Sequence, residues 1–271
     1  MKTRIISLMA AALLLAACDK IPADGYTTGT SGTSSEWHSA NVHRVYVEKY
    51  TGPKCPNCPA ADLTLNAAHQ QFGDQLVIIS INHPVGQGVP FSGDPDLRTD
   101  AGTAWDNYFG INAIPAAYIN RDQSKQYTGP MSAITADLET AINQTPLAGV
   151  EVSASATDNE ISITVDVQLF NQMDDGLTLT LALTEDSLVY RQSYGEDIVP
   201  DYVHNHMLRD VITDVWGNDI PLTGTAGEHK IGQFTYILTN SDIQVEHSHI
   251  VALLSRKSDR TVLNCAECDI Q

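Results

Sequence analysis

Lys54-Cys55-Pro56-Asn57-Cys58-Pro59 stands where one residue pattern gives way to another. Ahead of it, Val42, Val45, Tyr46 and Val47 form a β-branched and aromatic run that reads as a buried strand. Behind it, Ala60, Leu63, Leu65, Ala67 and Ala68 read as a helix that runs to Phe72 and stops at Gly73. Thr51-Gly52-Pro53 supplies the turn between them. The cysteines therefore fall on the loop and first turn of a helix that follows a strand.

That placement has chemical consequences. With Cys55 as N-cap and Pro56 at the first helical position, the Cys55 sulfur lies beside unpaired N–H groups at the positive end of the helix dipole. Lys54 adds a positive charge next door. Both favour thiolate, the attacking species in disulfide exchange. Cys58 returns to the same helix face and closes a short disulfide onto Cys55, across Pro56 and Asn57. Pro59 removes the helical bond to the Cys55 carbonyl, leaving that carbonyl free near the site. Two other readings compete. One is half of a zinc site with Cys265-Ala266-Glu267-Cys268, although structural zinc ligands usually come from nearby knuckles and these pairs stand far apart. The other is an inert staple. The strand-to-helix setting favours redox chemistry, with Cys55 attacking and Cys58 resolving.

Tyr108-Phe109-Gly110-Ile111-Asn112-Ala113-Ile114-Pro115-Ala116-Ala117-Tyr118-Ile119 resembles the thioredoxin stretch that leads into the active-site cis-proline. The resemblance implies that Pro115 is that proline and that the Ile114 backbone pairs with an incoming substrate strand. The sequence also departs from thioredoxins, which carry Trp before the first cysteine and Gly-Pro between the two. Their buried acid lies in the preceding strand. The nearest acid here, Glu48, is one residue further from Cys55, which turns it to the other strand face. Glu48 is thus either a proton acceptor for Cys58 or a solvated strand-end glutamate. His83 ends the apolar run Leu76–Asn82, on the edge where thioredoxin-like sites lie, and either modulates the sulfur pair or is an ordinary surface histidine.

Lys2 and Arg4 precede an apolar run from Ile5 to Ala12, and Leu15-Ala16-Ala17-Cys18 completes a secretory signal with a lipobox. The run is too short for a stable membrane span. Cleavage before Cys18 leaves a cysteine lipidated on sulfur and amine, and several chains together anchor stably. The expected organisation is a signal peptide over 1–17, a flexible spacer over 18–40, a thioredoxin-like domain over 41–147 and a β-sandwich domain over 148–271. The formal net charge of -18 becomes more negative once Lys2 and Arg4 are removed. That argues against nucleic acid and against membrane contact other than through the anchor. It suits a solvated protein outside the cytoplasm, where disulfides persist.

Beyond Pro146 and Gly149 the pattern changes. Val150, Val152 and Ala154 alternate with polar residues, as do Ile161, Ile163, Val165, Val167 and Leu169. Leu177–Leu183, Ile231–Leu238, Ile250–Leu254 and Val262–Cys265 continue the series as an antiparallel sandwich. A helix is expected only near Arg209 to Val215. Taken together, Glu48 to Gly52, Cys55-x-Asn57-Cys58-Pro59, Tyr202-Val203-His204-Asn205-His206-Met207-Leu208-Arg209 and Trp216-Gly217 resemble the twenty-eight-kilodalton outer-membrane lipoprotein family of Bacteroides-type bacteria. The resemblance implies a thioredoxin-like domain, a β-domain and an outer-membrane location. It leaves the Cys265/Cys268 tail outside.

His204-Asn205-His206 and His247-Ser248-His249 each place two imidazoles on one strand face, a spacing that suits copper or zinc, yet nothing in sequence unites the pairs and no metal is expected. Cys265 and Cys268 face opposite sides of any continuous strand, so either the strand ends at Asn264 and a turn lets them pair, or each stays alone. A structural tail disulfide is the expected reading, and a relay exchanging electrons with Cys55/Cys58 is the alternative. The expected activity is thiol–disulfide exchange with protein substrates and no cofactor. The alternative is a surface binding or adhesion lipoprotein with a redox-silent thioredoxin-like domain.

Overall fold

The computed structural model describes residues 26–28 and 42–271. Cys18, the signal segment and most of the spacer lie outside the described residues. The first described strand, β1 (Tyr26–Thr28), falls within the expected spacer and pairs with a strand late in the chain. β2 (Val45–Thr51), α1 (Cys58–Phe72) and β3 (Leu76–Asn82) form a parallel β-α-β unit. Every residue of β2 and β3 is buried, as their near-continuous apolar sequences require for strands covered on both faces. α2 (Asp100–Phe109) follows, then β4 (Ala116–Ile119) antiparallel to β2, β5 (Tyr127–Thr128) and α3 (Ile134–Ile142). Val45, Val47 and Ile78 pack against Leu65 of α1 and Ile134 and Leu138 of α3. Tyr46, Tyr50, Val77, Ile79 and Ile81 face the other way, onto Trp105 and Phe109 of α2.

The second half begins with the hairpin β6 (Ala148–Thr157) and β7 (Glu160–Leu169), then β8 (Leu177–Glu185). β9 (Leu188–Tyr194) and β10 (Asp197–His204) form a separate two-stranded sheet. β11 (Met207–Val211), β12 (Asn218–Asp219), β13 (His229–Ile237), β14 (Ser248–Arg256) and β15 (Val262–Asp269) complete the chain. One sheet has the order β1-β13-β7-β6, and its inner residues Val150, Ile163, Val165 and Phe234 pack on Leu179, Leu181, Ile250 and Ala252 of β8 and β14. This is the sandwich.

The other sandwich sheet does not stop at the thioredoxin-like layer. Its order is β15-β14-β8-β11-β3-β2-β4-β5. β11 joins the halves: it is antiparallel to β8, Met207 stands opposite Ser80 of β3, and the Ser80 N–H donates to the His206 carbonyl at 2.7 Å. The helix expected near Arg209 is therefore a strand through Val211. Leu208 is buried in the core beneath α2, and the two flanking sheet edges favour a strand. β8 and β14 consequently serve two cores, with Leu181 and Ala252 facing the sandwich and Ala182, Val251 and Leu253 facing α2. β15 returns to the thioredoxin-like layer, where Arg44 N–H donates to Asn264 Oδ1 at 3.0 Å and Val262 N–H to the Asn120 carbonyl, just after β4, at 2.9 Å.

The shared core makes a mechanical prediction. Leu253→Ala, nominally in the β-domain, should cost about 2–5 kcal/mol of stability. Because its neighbours come from both halves, tryptophan fluorescence and far-ultraviolet dichroism should lose their signals in one coincident urea transition. Separate transitions, with only one of them moved, would show that the two halves unfold independently.

Candidate functional site

The dithiol loop leaves the end of β2. Cys55 N–H donates to the Gly52 carbonyl at 3.0 Å and Cys58 N–H to the Cys55 carbonyl at 3.3 Å, a tight turn that brings the sulfurs together as a Cys55–Cys58 disulfide. The helix begins two residues later than its sequence suggests. Asn57 is the N-cap, Cys58 opens α1, and Pro59 takes a first-turn position where its missing N–H is harmless. Cys55 is therefore not the N-cap but a loop residue, while Cys58 lies inside the helix. The Ile114–Pro115 peptide is cis. Ala116, the next residue, pairs with Tyr50, which sets Pro115 level with the end of β2 where the dithiol loop starts.

Both cysteines are only 1% exposed. Two segments cover their loop. The first is the insertion over residues 84–97, whose Gln87 carbonyl accepts the Lys54 N–H at 2.9 Å. A Cβ at Gly52 would stand 2.5 Å from that same carbonyl oxygen, so the approach requires glycine. Lys54 Nζ lies 5.6 Å above the Phe91 ring, which directs its charge to the insertion. The second is the β9–β10 hairpin. Ser193 N–H donates to the Pro53 carbonyl at 2.8 Å and Gly195 N–H to the Pro56 carbonyl at 3.0 Å. Buried Gln192 reaches in with Nε2 to the carbonyls of Cys55 at 2.9 Å and Gly52 at 3.2 Å. The Cys55 carbonyl, expected to be free, is thus occupied. Asn57 remains exposed and Pro56 half-buried.

Glu48 is neither solvated nor directed at Cys58. It is fully buried on the α2 face of β2, accepting from Arg121 Nε at 2.7 Å, from the Tyr46 hydroxyl at 2.9 Å and from the Tyr50 hydroxyl. Arg121 stacks 4.4 Å from the Trp105 ring centroid and 5.3 Å from that of Trp216. Burial, with the Glu48 charge adding to it, pushes both tyrosines well up and keeps them protonated donors. The neighbouring Lys49 takes the face toward α1 and pairs with Asp62, whose other oxygen accepts the Tyr202 hydroxyl at 2.8 Å. Asp62 sits one turn beyond Cys58 on α1, which places the Lys49–Asp62 pair on the helix face that Cys58 opens. The spacing from Cys58 to Asp62 was the available signal for it, overlooked because attention falls on acids in the strand.

His83 is not an ordinary surface residue. Its Nδ1 is 2.7 Å from buried Asp106 of α2, whose carboxyl is raised by burial, and its N–H donates to the Thr51 carbonyl at the end of β2. The tail pair disagrees with its expected disulfide. β15 runs unbroken through Asp269, and Cys265 and Cys268 are free. Cys265 faces the core beneath α2 and Cys268 packs on the opposite, sandwich side. Burial pushes the Cys265 thiol far up and that of Cys268 up to about 11.

The histidine pairs do not lie on strand faces. β10 ends at His204 and β11 begins at Met207, so the first pair spans a turn, and His247 precedes β14. His206 Nδ1 and His249 Nε2 instead stand 3.6 Å from the two oxygens of Asp186, one histidine from each pair. Asp186 holds His249 up to about 9, whereas burial lowers His206 to about 4. Among the described residues no group of three His, Cys, Asp or Glu side chains is arranged to hold a metal ion.

Comparison with known proteins agrees with this architecture. HBP35 of Porphyromonas gingivalis superposes with a TM-score of 0.64 over 84% of this chain and 76% of its own, at 15% identity. A protein of Agrobacterium tumefaciens gives a TM-score of 0.50 over 83% of this chain and 94% of its own, at 17% identity. A probable thioredoxin of Methanothermobacter marburgensis is 32% identical over 76 residues, which cover 28% of this chain and 71% of that protein. The fold is a thioredoxin-like domain followed by an antiparallel β-domain. The family model for outer membrane protein Omp28 matches residues 102–271, from α2 and the cis-proline through the tail cysteines that the sequence resemblance left out. The chain belongs to the Omp28 outer-membrane protein family.

Proposed function

We propose that this chain is a lipid-anchored thiol–disulfide oxidoreductase of the cell envelope, acting on protein thiols and disulfides through Cys55 and Cys58. The observation that carries the reading is the disulfide at a strand-to-helix junction, level with the cis Ile114–Pro115 peptide. In the reduced state the Cys55 thiolate attacks a substrate disulfide. The substrate S–S bond breaks, one substrate sulfur leaves as thiolate and takes up a proton, and a mixed disulfide remains. Cys58 gives up its proton and attacks Cys55 Sγ, which restores the internal disulfide and releases the second substrate thiol. Two electrons and two protons pass to the substrate, and the reverse sequence oxidises it. Cys55 is the attacker because it lies in the loop, whereas Cys58 is held within α1. The Ile114 backbone is the expected edge for a substrate strand.

A second reading has an observation of its own. Near-complete burial of both cysteines suits a structural staple in a binding lipoprotein. The reduction potential separates the two. A pair poised well below about -300 mV is a structural bond, and a higher value supports exchange. On the redox reading, Cys55→Ser abolishes disulfide-reductase turnover with a small dithiol, and Cys58→Ser traps substrates through Cys55. Cys265→Ser/Cys268→Ser keeps near wild-type turnover, since those thiols are buried with raised pKa values. Unchanged turnover in Cys55→Ser would end the redox reading.

The anchor rests on the lipobox at Cys18 and on membership of an outer-membrane family. Cys18→Ser should release the protein from membranes or stall its maturation. Membrane fractionation and a mature mass like those of wild type would remove the lipid from this account.

A further inference from the structure

We propose that the β9–β10 hairpin is a gate over the disulfide and that Gln192 is its latch. This rests on the redox reading of Cys55 and Cys58 and adds control of access to it. Disulfide exchange needs an incoming thiolate to approach a sulfur, and at 1% exposure of each cysteine such approach is closed while insertion and hairpin are both seated. Whatever exchanges electrons with this pair must do so from a state in which the cover has moved.

The cover is built to move as a unit. β9 and β10 pair only with one another and join neither large sheet, and an isolated two-stranded ribbon is marginal by itself. Its seating depends on what its inner face meets. At its base, Leu188 and Tyr190 pack with Leu97 and Met207. At its side, the Tyr202 hydroxyl donates to Asp62. Over the dithiol loop its described contacts are hydrogen bonds. There it is held by the Ser193 and Gly195 amides, which donate to Pro53 and Pro56, and by Gln192. Arg191, on the alternate face, clamps Asp94 through Nε and Nη2 at 2.9–3.1 Å and the Ser92 carbonyl at 2.7 Å, tying hairpin and insertion together. On that same outer face Val189 stands opposite Val203, each at least half exposed among the described residues.

Gln192 couples the gate to the chemistry. It is 2% exposed, and its amide donates to the carbonyl of Cys55 itself, so lifting the ribbon removes a contact from the backbone of the attacking residue. The latch is polar and its acceptors are backbone carbonyls, which water satisfies once the ribbon lifts. Opening therefore leaves few buried groups unpaired, and the closed state is favoured by only a modest margin.

The test reads rate rather than equilibrium. Oxidised protein is treated with dithiothreitol, whose two thiols supply two electrons and two protons to Cys55–Cys58 and close into a cyclic disulfide. Reduction is followed by alkylation and peptide mass spectrometry. Gln192→Ala and Arg191→Ala should each speed reduction by about tenfold, given the loss of two or more hydrogen bonds. Ile198→Ser, on the exposed face, should leave the rate unchanged. Wild-type hydrogen exchange provides a readout that needs no variant. The Ser193 and Gly195 amides should exchange together through a local opening, well before those of β3. Wild-type reduction rates in both latch variants, or exchange of these amides only on global unfolding, would overturn the gate. The redox reading fails separately, on a structural-range potential or an active Cys55→Ser protein.

Discussion

The short pairing of β11 between β3 and β8 is the contact on which the arrangement of this molecule depends. Without Met207 opposite Ser80, the thioredoxin-like layer would end in an open edge at β3, and the sandwich sheet would end at β8. Sheet edges are satisfied by pairing or by cover, and here one short strand satisfies two. Its position also sets the connection before it. The chain leaves β8 at Glu185 and must return to β11 at Met207, so the intervening residues emerge between the two halves beside the end of β3. That is the end from which the dithiol loop springs. The β9–β10 hairpin lies over Cys55 and Cys58 as a consequence of sheet topology.

The local elements were legible because their residues carry unambiguous periodicity. Leu76–Asn82 needs two covered faces, Val150–Ala154 alternates, and the CxxC lies between a strand and a helix; each forms what its pattern specifies. What escaped is what depends on contacts between distant segments. Arg209–Val215 is rich in β-branched Val211, Ile212, Thr213 and Val215, and the two waiting edges make its first part a strand. Gln192 has no motif around it and gains its role from carbonyls more than a hundred residues away. A tail disulfide would need a strand break after Asn264, and Cys265 and Cys268 are instead free in one continuous strand. β14 pairs with β15 past that point, through His249 opposite Asp269.

The polar interior shows how this chain keeps a thioredoxin-like layer while departing from its pattern. Glu48 turns away from the cysteines, and its charge is met by Arg121 under the rings of Trp105 and Trp216. Taking away one partner of such a pair strands the other, typically at about 3–5 kcal/mol. Trp216 lies in the β-domain and Arg121 follows β4, so the pair also fixes how the halves meet. The carbonyl of Val215, beside it, accepts the Trp105 indole N–H at 2.7 Å. On the other face, Lys49 stands where an acid is the thioredoxin pattern, and the acid is supplied by Asp62 from the helix. The strand supplies the cation and the helix the anion of this pair.

These placements bear on which sulfur chemistry the fold permits. Exchange between two cysteine pairs requires their sulfurs to meet. Cys265 and Cys268 point to opposite sides of one strand and so cannot act as a dithiol without unpairing β15 from β14. Cys265 is enclosed by residues from both halves, so exposing it means opening the core that holds them together. Uncovering Cys55 requires far less: lifting a ribbon with no third strand, whose contacts over the loop are hydrogen bonds that water can replace. Of the four described cysteines, only the Cys55–Cys58 pair is both mutually bonded and separated from solvent by a cover that can open without loss of the core. The difference in what must unfold would confine any exchange to that pair.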